Sequence, residues 1–495
     1  MRLRMAREPA RAIRLPRGQS RATALRGSLR AAAAVRRSPA LDRPALDRHD
    51  AEARPARRTC SGHGRRTPPT TEKEGTLRLR RKAMLVVRAA LAAAAVLLAA
   101  CAASGRPPPI ATGFEDYRRD TIDMLQARRH FQATDKAADK AAELAWNAPR
   151  EWLPATAYDG ATPATAPTPD KGILLIHGLG DSPWSFHDVA RQLAGQGFLV
   201  RTVLLPGHGT RPEDLLDVTL EDWQRVVREQ ADALRRDVAQ VYLGGFSTGA
   251  NLALDYAYAH PEVAGLVLFS PAFQSSSRYD WLTPLIGWFR PWLLEPDGRR
   301  PMQNAVRYMT VPTNAFAQFW RSSREARQRL AERPYDKPVF MAVAQHDSVL
   351  DTAYLLSAFQ HHFTHPASRL IWYGARPAGL ADGGRVLVRS DALTQRRISR
   401  FSHMGLMFSP ANPLYGERGS LRICWNGQDE VALRACERGE PVWYSDWGYR
   451  EPGKVHARLT FNPYFEWQGE VLADVLNRRP GSLPQARHDG PVAGP

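Results

Sequence analysis

The stretch "VYLGGFSTGANLALDYA", Val241 to Ala257, places a serine between two glycines where an apolar run gives way to a helical pattern. The run "QVYL" reads as a strand and "ANLALDYAYA" as a helix. A serine at such a strand-to-helix turn adopts a strained backbone conformation, and its neighbours must be small to avoid clashing across the turn. Gly245, Gly249 and Ala250 meet that demand. The helix that follows points its free N–H groups back toward the turn. Gly245-Phe246-Ser247-Thr248-Gly249 therefore reads as a turn that presents Ser247 as a nucleophile. An ordinary serine in a small-residue loop is the alternative, and the flanking strand and helix weigh against it.

Working outward, short apolar runs alternate with helical ones: "GILLIHG", "GFLVRTVLLPGHG", "QVYLGGFS", "VAGLVLFSP", "KPVFMAVAQHD" and "SRLIWYG". That alternation predicts a mostly parallel sheet covered by helices. Between two runs, "TLEDWQRVVREQADALRR" predicts a helix capped by Thr219 with Asp222 at its third position and Leu220, Trp223, Val227 and Leu234 in an apolar stripe. Residues 114–148 read as a single helix. In "LLIHGLGDSPWSF", His177-Gly178 ends a strand before a glycine-rich turn. Acyl transfer needs two N–H donors for its oxyanion; Thr248, following the serine, supplies one, and Leu179 is positioned for the other. His177 reads as a turn brace. The Gly-x-Gly here lacks the third glycine of a dinucleotide site, and no phosphate-loop lysine is present.

Taken in order, "HGLGDSPWSF", "LLPGHGT", "GGFSTGANLAL" and "LVLFSPAF" resemble successive strand-end motifs of the α/β-hydrolase family, in its esterase and monoacylglycerol-lipase-like branch. The resemblance covers roughly 171–274 and 337–407. It implies the α/β-hydrolase fold, a mostly parallel sheet flanked by helices with a cap insertion. It also implies a Ser-Asp-His triad with no metal and no cofactor. The acid is expected just past "KPVFMAVAQHDSVLD": Asp347 is chosen, with Asp351 at the start of the next helix and His346 a bystander. Among His361, His362, His365, His403 and His456, chain order favours His403 in "RFSHMGL" as the base. The segment "ARPAGLADGGRVLVRSDALTQR" before it departs from the family's strand-loop-histidine pattern.

Two segments stand outside the alternation. Residues 272–335 are expected to form a cap, whose Trp281, Trp288, Phe289 and Trp292 would line an acyl pocket or, with Leu282 and Leu293, simply pack the cap. Trp281 through Leu294 could also rest on a membrane. Residues 408–463 form a second insertion before the last helix. The hydrolase domain is expected over 171–478, followed by a disordered tail, 479–495.

The formal charge of +18 is uneven. Residues 1–83 hold 23 Lys and Arg against seven Asp and Glu, whereas from Cys101 onward 44 basic residues face 43 acidic ones. The charge belongs to the tail, and a nucleic-acid partner is not expected. This Arg/Ala/Pro tail has no sustained period and cannot bury a core. It reads as a mis-called start upstream of Met84, or else as a real disordered extension. From Met84, a basic start and an apolar run from Ala89 to Ala100 suit a secretory signal over 84–100. Leu98-Ala99-Ala100-Cys101 resembles the lipobox of bacterial lipoproteins, which implies lipid attachment at Cys101, a tether through 101–170 and a place in the bacterial cell envelope, on the periplasmic face of the outer membrane. In that oxidising compartment Cys424 and Cys436 are expected to pair. The combined reading is a lipid-anchored serine esterase for small or medium acyl chains, monoacylglycerols among them. An acyltransferase or thioesterase with the same triad, or a non-catalytic lipoprotein binding an envelope partner through 408–463, are the rivals.

Overall fold

The computed structural model describes residues 113–132, 136–154, 169–296, 301–380 and 384–477. The signal, Cys101 and the 479–495 tail lie outside them. Among the described residues no helix is long and apolar enough to cross a membrane, and no cluster of His, Cys, Asp and Glu is arranged to hold a metal.

The chain runs α1 (Phe114–Arg128), α2 (Ala137–Asn147), β1 (Glu151–Trp152), β2 (Lys171–Ile176), α3 (His187–Gly195), β3 (Phe198–Val203), α4 (Leu220–Asp237), β4 (Gln240–Phe246), α5 (Thr248–Ala259) and β5 (Gly265–Phe269). It continues with α6 (Thr283–Ile286), α7 (Thr313–Glu332), β6 (Val339–Ala344), α8 (Thr352–His362), β7 (Arg369–Tyr373), β8 (Val386–Arg389), α9 (Glu430–Glu437), β9 (Trp443–Ser445), β10 (His456–Arg458) and α10 (Phe465–Asn477). Eight strands form one sheet in the order β1-β3-β2-β4-β5-β6-β7-β8. All pairs are parallel except β1 with β3.

The six apolar runs are β2 to β7. In β2, Leu174 and Ile176 face one core while Ile173 and Leu175 face the other, so both sides of the sheet are buried. That is why these strands read as continuous apolar runs rather than alternating ones. The first core is closed by α4, α5, α7 and α8, with Trp223, Leu234 and Phe359 fully buried. The second is closed by α3, α10 and residues of the 404–461 region such as Phe408 and Phe461. Thr219 caps α4 in a reciprocal capping box with Asp222, as its spacing predicts.

Three expectations change. The helix over 114–148 is two helices, because Arg129 leaves helical geometry (φ −69°, ψ 131°). Its buried guanidinium turns to Glu143 at 2.6 Å and donates to the Ala305 carbonyl at 2.7 Å; a buried charge without such partners would be costly. Second, the segment before His403 is not a plain insertion: it contains β8, which extends the sheet from β7. Third, the 408–463 segment carries its own two-stranded parallel sheet of β9 and β10.

Candidate active site

Parallel strands deliver their following loops to one edge, where ligands of such sheets sit. Adjacent β2 and β4 pair Ile176 with Gly245, so the His177 loop and the Ser247 turn emerge side by side. Ser247 has φ 54° and ψ −117°, a backbone conformation that costs a non-glycine residue of order 1–3 kcal/mol. The turn is held by Ser247 N–H donating to the Phe269 carbonyl at 3.0 Å and by Ala272 N–H donating to the Ser247 carbonyl at 3.2 Å. Both glycines are sterically required. A Cβ on Gly245 would overlap the Ala250 nitrogen, and one on Gly249 would overlap the Ile176 carbonyl oxygen. Ser247 is 5 % exposed, and its side chain does not cap α5.

Asp347 follows β6 by three residues. Its Oδ1 accepts from the N–H groups of Val349 (2.8 Å) and Leu350 (3.2 Å), while Oδ2 lies 2.6 Å from His403 Nδ1. Both partners are buried. The His403 ring lies 4.9 Å from that of Phe246, the residue before Ser247. The rejected alternatives are accounted for. Asp351 caps α8 by accepting from Tyr354 N–H at 2.9 Å, His346 pairs with Asp391 at 2.7 Å, and His456 Nδ1 bonds the Ser445 hydroxyl at 3.1 Å. His361 and His362 lie in the last turn of α8, and His365 follows it.

The loop carrying Leu179 is braced by two neutral histidines. His177 Nε2 accepts from Leu205 N–H at 3.0 Å, which leaves its Nδ1–H to donate to the Gly178 carbonyl at 2.8 Å. His208 Nε2 accepts from Gly180 N–H at 3.0 Å. Burial pushes His177 well below the usual imidazole range and His208 down to about 4. His177 is thus the turn brace its position implied. His208, within "LLPGHGT", is a second brace that sequence reasoning missed, because nothing local to it points at Gly180.

Other partners also escaped the sequence. Ser270, just past β5 with φ 41°, donates its hydroxyl to the His403 carbonyl at 3.0 Å. Asp181 takes Arg307 Nη1 at 3.0 Å; burial raises its carboxyl, while Arg307 and then His403 oppose the rise. Asp446 Oδ1 lies 3.4 Å from His403 N–H.

The acyl-pocket assignment needs correction. Trp281, Trp288 and Phe289 are 57 %, 86 % and 76 % exposed, so they enclose no pocket; Trp292 is buried. The four-residue α6 buries only Thr283, which leaves its neighbouring aromatics facing outward. The Cys424–Cys436 disulfide is formed, with Cα atoms 5.6 Å apart.

The family model described as serine aminopeptidase, S33, matches residues 167–373, the span of the sheet from β2 through β7. The chain has the α/β-hydrolase fold. Its similarities lie with esterases and lipases. A thermostable monoacylglycerol lipase of Bacillus sp. (strain H-257) is 29 % identical over 174 residues, 34 % of this chain and 69 % of that protein. A carboxylesterase of Bacillus subtilis (strain 168) is 23 % identical over 187 residues, 37 % of this chain and 74 % of that protein. Among solved structures, the monoacylglycerol lipase of Paleococcus ferrophilus aligns with a TM-score of 0.35 at 18 % identity, covering 46 % of this chain and 87 % of that one. His403 and the 408–463 segment lie beyond the residues matched by the family model.

Proposed function

We propose that this α/β-hydrolase cleaves carboxylic esters of small or medium acyl chains, monoacylglycerols among them, through Ser247, His403 and Asp347. The observation that carries the reading is the buried 2.6 Å Asp347–His403 hydrogen bond, with the imidazole packed near Phe246, the residue before a serine strained at a helix N-terminus. His403 Nε2 takes the Ser247 proton as Oγ attacks the acyl carbonyl, while Asp347 accepts from Nδ1–H and holds the required tautomer. The Thr248 and Leu179 N–H groups stabilise the oxyanion. The alcohol leaves with the proton from His403, and water, activated by the same imidazole, hydrolyses the acyl-enzyme. The lipase and carboxylesterase similarities favour an acyl ester over a peptide amide. The lipobox motif adds a place for the reaction: lipid attachment at Cys101 would hold the enzyme at the envelope membrane, near its substrates.

The test is stoichiometric labelling of Ser247 by a fluorophosphonate, followed by p-nitrophenyl esters of graded chain length, a monoacylglycerol and an aminoacyl anilide. Labelling with ester turnover is expected. Lack of labelling overturns the reading, and turnover of the anilide alone replaces the esterase with a peptidase. Product analysis with alcohol acceptors present separates hydrolysis from acyl transfer.

A further inference from the structure

The loop carrying His403 is walled on its far side by the 408–463 segment. Tyr444 N–H donates to the Arg397 carbonyl at 2.7 Å, Ser399 N–H to the Tyr444 carbonyl at 2.8 Å, and the Ser402 hydroxyl to the Leu459 carbonyl at 2.5 Å. Among these anchors sits Asp446, only 2 % exposed. Its Oδ1 accepts from His403 N–H at 3.4 Å, and the hydroxyl of Ser348, the residue directly after Asp347, is near enough to favour its charged form. One carboxylate thus touches both the histidine loop and the acid loop.

Asp446 is itself held firmly. Asn426 Nδ2 donates to the Asp446 carbonyl at 3.1 Å and to the Ser445 hydroxyl at 3.0 Å, and Arg458 Nε orients Asn426 at 2.7 Å. The Cys424–Cys436 disulfide fastens the loop that carries Asn426. This is a supported arrangement of the kind that keeps functional groups in register.

We propose that Asp446 is a positioning residue for His403, holding its backbone N–H and tying its loop to that of Asp347. The inference rests on the Ser247–His403–Asp347 reading. The groups facing His403 are Asp347, Asp446, Asp181 with its partner Arg307, and, beyond Asp446, Arg458. Burial and then Asp347 push the Asp446 carboxyl up, and Arg458 opposes both. Burial pulls Arg458 down to about 10, with Asp446 as its main support.

The experiment compares wild type, Asp446→Asn and Asp446→Ala in fluorophosphonate labelling rate and in kcat and KM for p-nitrophenyl acetate from pH 5 to 9, with melting temperatures for each. Asp446→Asn and Asp446→Ala are each expected to keep KM and to lose roughly tenfold in kcat through misplacement of the imidazole. Wild-type kcat in both variants overturns the proposal. So does a fall in kcat that comes with a rise in KM and a lowered melting temperature, the pattern of a purely structural carboxylate. If Asp446→Asn does not fold, Ser348→Ala, at an exposed position, cuts the other contact. A fall in kcat at constant KM supports the proposal, and unchanged kcat overturns it. An unlabelled wild type sinks the triad reading; a labelled wild type with Asp446→Asn indistinguishable from it sinks only this one.

Discussion

Ser247 and His403 reach the same edge of the sheet by different means. The serine turn is confined by its own neighbours: Gly245 and Gly249 leave no room for a Cβ, and the strand before and helix after fix the direction of the turn. The histidine has little local support. Its ring is held by Asp347, 56 residues earlier, its carbonyl by Ser270, its N–H by Asp446, 43 residues later, and its loop by Tyr444 and Leu459. A turn enforced by short-range sterics survives wide changes elsewhere. A loop held by distant partners depends on every one of them, and here most come from a segment the family model does not reach. The first kind of site is robust; the second can be tuned.

The largest effects should appear where the two loops act as one unit. Ser247→Ala and His403→Ala should each lower kcat/KM by roughly four to six orders of magnitude while melting normally, because members of one catalytic unit are non-additive. Asp347→Asn should lose less, roughly two to four orders, and Asp351→Asn should stay near wild type, since Asn caps a helix nearly as well. A dead Asp351→Asn beside an active Asp347→Asn would reassign the acid and leave the serine turn intact.

The steric side of the comparison is tested by Gly249→Ala. The added Cβ meets the Ile176 carbonyl oxygen rather than a yielding side chain, so denaturant unfolding should show a loss of at least about 3 kcal/mol. Little loss would mean that the turn is not locally enforced.

His208 gives the oxyanion-loop brace a pH signature. Its folded pKa of about 4 lies below the unfolded value near 6.5, so between those values the unfolded chain binds the extra proton. Its stabilising contribution is complete above about pH 6.5 and is lost as pH falls toward 4, by up to about 3 kcal/mol. Buried Asp181 and Asp446 and half-buried Asp188, all raised, titrate in the opposite sense. The readout is therefore the difference in acid slope between wild type and His208→Gln by chemical denaturation. Equal slopes would refute it.

The long-range side is tested by the disulfide. Replacing Cys424 and Cys436 by Ser should cost about 3 kcal/mol for a loop of this length, and hydrogen exchange should report the loosening first in residues 423–458. Smallest of all, Trp288→Ala, at an 86 % exposed position, should change stability by less than about 0.5 kcal/mol. A larger loss would mean that the 279–294 surface is covered in solution.

The sequence by itself determined the features set by short-range rules. It determined the six parallel strands, because strands buried on both faces must be apolar throughout. It determined the Ser247 turn, because only glycines fit beside it, and the Thr219–Asp222 cap, because its bonds span three residues. Asp347 and His403 were legible through chain order and a resemblance, and their contact follows from β6 and the His403 loop ending at the same edge. Only the tertiary structure decided the rest. The break at Arg129 depends on Glu143 and on Ala305, which is 176 residues away. The role of His208 depends on Gly180, that of Ser270 on His403, and that of Asp446 on Ser348 and His403. The outward turn of Trp281, Trp288 and Phe289 depends on which side of a four-residue helix finds α7 to pack against. None of these partners lies within a turn or strand of the residue it fixes, so no local period or spacing records it. They exist only because the chain closes on itself.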